Sequence, residues 1–121
     1  MDPLKNKILD KMRDLTLASF ATVTEDAKPW ARYVVVKADE ELNIWFATFK
    51  SSRKINQIHA NPEVHLLLGV TDLPVAATWV QIQGRAEILE DEKTKNAVWY
   101  SMLEPMFTGP DDPNYAVCKV T

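Results

Sequence analysis

Three apolar runs, LASFATV (17–23), WARYVVVK (30–37) and LNIWFATF (42–49), follow one another with only TEDAKP and ADEE between them. Polar connections that short leave no room for the crossover a parallel pair requires, which takes a dozen or more residues. Runs rich in β-branched and aromatic residues joined this way form an antiparallel meander. The first half of the chain is thereby committed to neighbouring antiparallel strands, and the rest must pack around them.

The flanking segments read accordingly. Asp2-Pro3 is a helix start, and Leu4, Ile8, Met12 and Leu15 recur at a spacing that predicts one apolar helix face. Ser51 or Ser52 can cap a helix running to about Ala60, with Ile55 and Ile58 inward and Asn61-Pro62 as its stop. EVHLLLGV (63–70) reads as a fourth strand. ATWVQIQGRAEIL (77–89) reads as a long fifth strand, with Gly84 where a bulge or bend would let it curl. Asp91 can cap a helix over about 92–103, and YAVCKV (115–120) is the sixth strand. Six mostly meandering strands with three short helices at the edges fit an α+β fold built on a small antiparallel barrel. Closure hides the edges that a six-stranded open sheet would expose. A length of 121 residues fits one domain, 1–121.

Composition removes several functions. The three glycines, at 69, 84 and 109, are far apart, whereas a dinucleotide fingerprint or a Walker loop needs two or three within a few residues. Any phosphate must therefore be held by side chains and a helix start. With 14 Lys and Arg against 17 Asp and Glu, general nucleic-acid binding is disfavoured. No apolar run approaches a membrane span, and the charged N-terminus lacks a signal-peptide block. Cys118 stands alone, so an intrachain disulfide is impossible and a cytoplasmic location is expected. His59 and His65 are the only histidines and suggest no metal site. The acidic clusters Glu40-Glu41 and Glu90-Asp91-Glu92 lie in a turn and at a helix start, where they read as solvation and dipole complement. Four Trp and four Phe are generous for a monomer of this size and point to a second copy of the chain, with 79–83 and 99–107 as candidate interface segments.

One junction stands out. FATFKSSRKINQI (46–58) gathers two lysines, an arginine and three hydroxyls between a strand and a helix in an otherwise acidic chain. Ser51 and Ser52 taken alone read as a helix cap. Arg53 and Lys54, however, fall in the first helical turn, where the helix dipole disfavours cations, and a helix start is itself an anion site. Thr48 ends the preceding strand, and Arg32 on the neighbouring strand can reach the same place. The alternatives are a solvated helix start or a bound anion.

RYVVVK (32–37), FAT (46–48), SRK (52–54), QI (57–58), NP (61–62), the apolar run around LLL (66–68) and GRAE (84–87) occur in one order. Together they resemble the pyridoxamine 5'-phosphate oxidase-like superfamily of FMN-binding split β-barrels, above all its small bacterial general stress proteins. The likeness spans roughly residues 15 to 121. No single piece is specific; the ordered set is.

The resemblance implies FMN as cofactor, lying at a homodimer interface, with a small-molecule substrate or electron donor. It implies that Arg32 contacts the flavin phosphate, that the backbone of Tyr33, Val34 and Val35 faces the ring, and that Ala47 and Thr48 touch the ribityl-phosphate arm. Ser52, Arg53 and Lys54 would grip the phosphate. Lys37 matches a lysine that holds the substrate phosphate in the vitamin oxidases, and Trp79 stands where those enzymes carry a flavin-binding glutamine. Their aromatic–arginine–serine cluster for the vitamin phosphate has no counterpart in AVWYSMLEPMFTGPDD (97–112), and their C-terminal cofactor and substrate residues are absent. The expectation is an FMN-dependent oxidoreductase without pyridoxamine phosphate oxidase activity. A non-catalytic flavin binder or redox sensor, and a barrel using deazaflavin or haem, stay open beside it.

Overall fold

The computed structural model describes residues 2–70, 73 and 78–121. Helix α1 (Pro3–Met12) leads into strands β1 (Thr16–Val23), β2 (Pro29–Ala38) and β3 (Ile44–Phe49). Then come α2 (Arg53–Ala60), β4 (Glu63–Leu68), β5 (Val80–Leu89), α3 (Glu92–Val98), a short 3-10 turn (Ser101–Leu103) and β6 (Tyr115–Val120). The strands close into an antiparallel barrel in the order β1-β2-β3-β6-β5-β4.

Period-two alternation decides what fills it. Ala18, Phe20, Val36, Ile44, Phe46, Leu66, Leu68, Cys118 and Val120 point inward and are buried, with the Phe20 and Phe46 rings edge to face at 4.9 Å. Leu9 and Met12 of α1 and Ile58 of α2 join this core. A second cluster outside the barrel gathers Leu103, Phe107, Tyr115 and Val117, with Trp99 and Tyr100 packed on it.

The departures from the sequence expectations have physical causes. Helix α1 ends at Met12, so Leu15 lies beyond it and is exposed; Leu9 and Met12, not Leu4 and Leu15, are its buried residues. Strand β3 begins at Ile44, because Leu42 adopts φ 65° in a turn fixed by Asp39, which accepts the backbone N–H of Glu41 and of Asn43 at 2.9 Å each. Strand β4 stops at Leu68, since Gly69 turns the chain at φ 106°. Of the expected strand 77–89, Ala77 lies outside the described residues and β5 starts at Val80. Gly84 marks no bulge: it pairs regularly with Val64, and a Cβ there would meet Thr121 O at 2.7 Å. Closing β5 onto the end of β6 requires a residue without a side chain.

Helix α3 is also shorter than expected, ending at Val98. Trp99 turns out of the helix (φ −58°, ψ 138°) and packs edge to face on Tyr115 at 5.5 Å, and on Phe107 at 6.4 Å. Aromatic burial overrides helical continuation. Trp99 and Phe107 are thus committed to the protein's own core, which leaves Met102 and Met106 as the exposed apolar residues of that candidate interface segment.

Candidate functional site

The barrel is split on one side. Strand β1 pairs with β2 over the whole of β1, from Thr16–Val36 to Val23–Pro29, and β3 pairs with β6 over six positions. Between β2 and β3 the ladder holds only Lys37–Trp45 and Ala38–Ile44. From Val35 back to Tyr33, β2 has β1 on one side and no strand on the other. Backbone groups on such an edge call for a partner. The opening forms a cleft of about 230 Å³ lined by Tyr33, Val34, Val35, Ala47, Thr48 and Lys54 among others.

At one side of this cleft the chain leaves β3, turns at Lys50 to Ser52 and enters α2. Ser52 has the backbone of an N-cap (φ −75°, ψ 153°), yet its hydroxyl caps nothing. It instead accepts a hydrogen bond from Lys54 Nζ at 3.0 Å, and Thr48 Oγ1 accepts a second at 2.8 Å. An ammonium carries three N–H donors, so one is left. Desolvation, together with the nearby Arg32 charge, pulls the Lys54 ammonium below the ordinary lysine value, with Cys118 opposing.

Arg32 points inward from β2. Its guanidinium donates to Thr22 Oγ1 at 2.8 Å and to Gln57 Oε1 at 2.9 Å, and lies 5.9 Å from the Phe20 ring centroid. The Thr22 hydroxyl also donates to Gln57 Oε1, which closes a three-residue network. Burial lowers the Arg32 value too. Arg53, exposed at the rim, lies 5.9 Å from the Trp30 ring centroid.

Among the described residues, Arg32, Lys37, Arg53 and Lys54 form no ion pair with a carboxylate, although the chain is acidic overall. Lys50 differs: it is bound to Glu90 at 2.5 Å and is not free for the junction.

The structure therefore places Tyr33, Val34, Val35, Ala47, Thr48 and Lys54 along one cleft. Ser52 joins it through its hydrogen bond from Lys54, Arg32 lies near enough to act on the Lys54 charge, and Arg53 is exposed on the first turn of the same helix. Lys37 lies within the short β2–β3 pairing, opposite Trp45, and lines a neighbouring groove. Trp79 lines neither; it sits just before β5, its backbone close to Gly69, and is 54% exposed. Sequence reading missed Thr22 and Gln57. Thr22 had a legible signal, a hydroxyl at an inward position in the alternation Ala18, Phe20, Thr22. Gln57 had none, since a polar residue on a short helix ordinarily faces solvent.

This cleft can bind an anion with an organic body. The uncapped helix start and three cations lacking carboxylates, Arg32, Arg53 and Lys54, suit a phosphate, and the open β2 edge suits a planar group with hydrogen-bonding edges.

Comparison with known proteins gives the family. The family described as pyridoxamine 5'-phosphate oxidase matches residues 4–121. General stress protein 26 of Bacillus subtilis is 35% identical over 117 residues, covering 97% of this chain and 82% of that protein. A pyridoxine/pyridoxamine 5'-phosphate oxidase of Escherichia fergusonii is 38% identical over 79 residues, 65% of this chain but only 35% of that enzyme. The crystal structure of general stress protein 26 from Bacillus anthracis superimposes with a TM-score of 0.85 at 31% identity, covering 98% of this chain and 88% of that one. An F420 reductase (TM-score 0.68, 21% identity, 94% of this chain and 90% of that one) and a heme-binding protein from Mycobacterium smegmatis (0.71, 15%, 96% and 48%) share the fold alone. The split barrel, its ordered motifs and these matches together make this chain a member of the pyridoxamine 5'-phosphate oxidase family.

Proposed function

We propose that the chain binds FMN in the cleft between β2 and β3 and works with it as an oxidoreductase. The observation that carries this reading is the start of α2: an uncapped helix end bearing Arg53 and Lys54, with Arg32 beside it, none of them paired with a carboxylate among the described residues. Ser52, Arg53, Lys54, Thr48 and Arg32 would take the phosphate. Ala47 would border the ribityl arm, and the stretch Tyr33 to Val35, on the side of β2 that β3 leaves open, would meet the ring. Bound there, FMN supplies the electron-transfer chemistry. The protein's own part is to orient the flavin, exclude water and neutralise the phosphate.

Deazaflavin and haem stay as alternatives: no His or Cys lines the cleft among the described residues, but Tyr33, Tyr100 and Met106 do, and haem takes Tyr and Met axial ligands as well. The absorption spectrum of the bound cofactor separates the three. A role as non-catalytic flavin store or redox sensor differs from the leading reading by one measurement, steady-state turnover with a reduced nicotinamide donor. Pyridoxamine 5'-phosphate is not the expected substrate. The helix that borders Lys37's groove begins with Asp91 and Glu92, which repel a dianion, and offers no arginine to grip one.

A second copy of the chain is the expected partner. Leu17 (58% exposed), Tyr33 (76%), Val35, Leu67 and Trp79 are exposed apolar residues on or beside β1, β2, β4 and β5, adjacent members of one sheet. Exposed apolar area of this kind marks interaction surfaces. A monomer in sedimentation of the FMN-loaded protein at micromolar concentration overturns this.

The test of the clamp is a titration of FMN and riboflavin into wild type and Arg53→Ala/Lys54→Ala, followed by flavin fluorescence. Charge-assisted hydrogen bonds contribute roughly 1.5–3 kcal/mol each, so the double variant should bind FMN about a hundredfold or more weakly and riboflavin almost unchanged. An FMN affinity that does not move removes the clamp.

A further inference from the structure

Beyond the Lys37–Trp45 pairing lies a groove of about 640 Å³, within the size range of small-molecule sites. One wall is Trp45 on the outer face of β3; another is Trp99 and Tyr100, where the chain leaves α3. Both tryptophans are held. The Trp45 indole N–H donates to Asp39 Oδ2 at 3.0 Å, and Lys119 Nζ lies 5.0 Å from its ring centroid. Trp99 is fixed by Tyr115 and Phe107.

The charges are uneven. Lys37 from β2 and Lys93 from α3 both line the groove, and neither has an ion-pair partner among the described residues. The carboxylate that also lines it, Asp39, is already occupied. Burial pushes the Asp39 carboxyl up, but hydrogen bonds from the Trp45 indole, the Asn43 side chain and the backbone N–H groups of Asn43 and Glu41 outweigh this and hold it below the usual value. What remains is a rigid aromatic slot with two lysines outside any ion pair and one carboxylate engaged by neutral donors, a net excess of one positive charge.

We propose that this groove binds a flat aromatic monoanion, its ring against Trp45 and Trp99 and its carboxylate or sulfonate at Lys93 and Lys37. Aromatic walls favour a planar apolar body, and lysines act as point charges that attract a single negative group without fixing a phosphate's geometry. A net excess of one positive charge in the lining suits a monoanion. Val35 and Tyr100 line both this groove and the flavin cleft, so the two occupants would be neighbours. As a substrate class for the flavin site the proposal rests on the flavin reading, whereas binding in the groove needs only the chain's own side chains.

The probes are naphthalene-2-carboxylate, the neutral naphthalene-2-carboxamide and pyridoxine 5'-phosphate, titrated calorimetrically into the full chain with and without FMN. The carboxylate should bind about fivefold or more tightly than the amide, and more tightly than the phosphate ester. Lys93→Ala should abolish the preference for the carboxylate while FMN affinity, measured separately, stays unchanged. Lys93→Glu should invert the preference. Equal binding of acid and amide, tighter binding of the phosphate ester, no binding at millimolar concentration, or displacement of FMN by the carboxylate each overturns the proposal. A chain that takes up no FMN refutes the flavin reading alone, and the groove is then judged on the FMN-free titrations by the same outcomes.

Discussion

Two helices in this molecule start the same way and end up with opposite electrostatics. Both α2 and α3 follow closely on a strand, and both have an extended residue at the N-cap. At α3, Asp91 accepts the Thr94 N–H at 3.0 Å and its hydroxyl at 2.8 Å, and Glu92 occupies the first turn. Orphan donors and dipole are both answered from within the chain. At α2, Ser52 leaves the donors uncapped, no acid occupies the first turn, and Arg53 and Lys54 face the positive end of the dipole. The difference separates a helix start that answers its own dipole from one that does not. On the proposed reading, the α2 start is the less stable arrangement in isolation and would become favourable once an anion arrives.

The sharpest way to break the contrast is to give α2 the cap that α3 has. Ser52→Asp supplies both a capping oxygen and a negative charge. The FMN-free protein should gain about 1 kcal/mol, a rise of roughly 3–5 °C in Tm. FMN should bind about a hundredfold more weakly, because a carboxylate now holds the place and the cations meant for the phosphate. Scanning calorimetry without flavin and fluorescence titration with it read the two effects separately. Loss of FMN affinity without a gain in stability would mean that the α2 start is not an unfilled anion site.

The converse change removes a cap that serves only the fold. Asp91→Ala should cost about 1 kcal/mol in urea unfolding. FMN affinity should stay within about twofold of wild type, since surface changes away from a site act within about 0.5 kcal/mol. A comparable loss of FMN affinity would show that α3 is coupled to the cleft and that the two helix starts are not independent.

The contrast was half legible beforehand. Asp91 reads as a cap because Asp is a strong N-cap residue, and Arg53 and Lys54 stand out because cations are unexpected in a first turn. Period-two alternation and short turns were enough for the six strands, since they depend on local pattern. What sequence could not supply came from tertiary packing. Trp99 leaves α3 for an aromatic cluster whose other members lie at 107 and 115. Gly84 answers to the end of β6, far away in sequence. In the site, Arg32's reach to α2 was anticipated, but its anchors Thr22 and Gln57 come from two other elements and meet only when the barrel closes. The reversal at Ser52, whose hydroxyl serves Lys54 and not the helix, is a side-chain choice that no spacing encodes.

The smallest expected effect is on pH dependence, and its sign follows from Lys54. Desolvation and the Arg32 charge lower this ammonium's folded value below the ordinary 10.5, whereas unfolding restores that ordinary value. Between the two, the unfolded chain binds the extra proton, so stability rises with pH across that window. Below it the folded state bears the full disadvantage of a charged, partly buried lysine beside an arginine. Bound FMN reverses the preference, because a phosphate dianion favours the protonated ammonium. Two opposite slopes are therefore expected. In urea unfolding without flavin, wild type should gain on Lys54→Met as pH is raised from neutral toward 10.5. Over the same range the FMN affinity of wild type should fall, and fall more steeply than that of Lys54→Met. Comparing the two proteins at each pH cancels groups that titrate in both, and Arg32 stays charged throughout. Parallel curves in both measurements would mean that Lys54 is solvated like any surface lysine, and that the α2 start holds no strain for an anion to relieve.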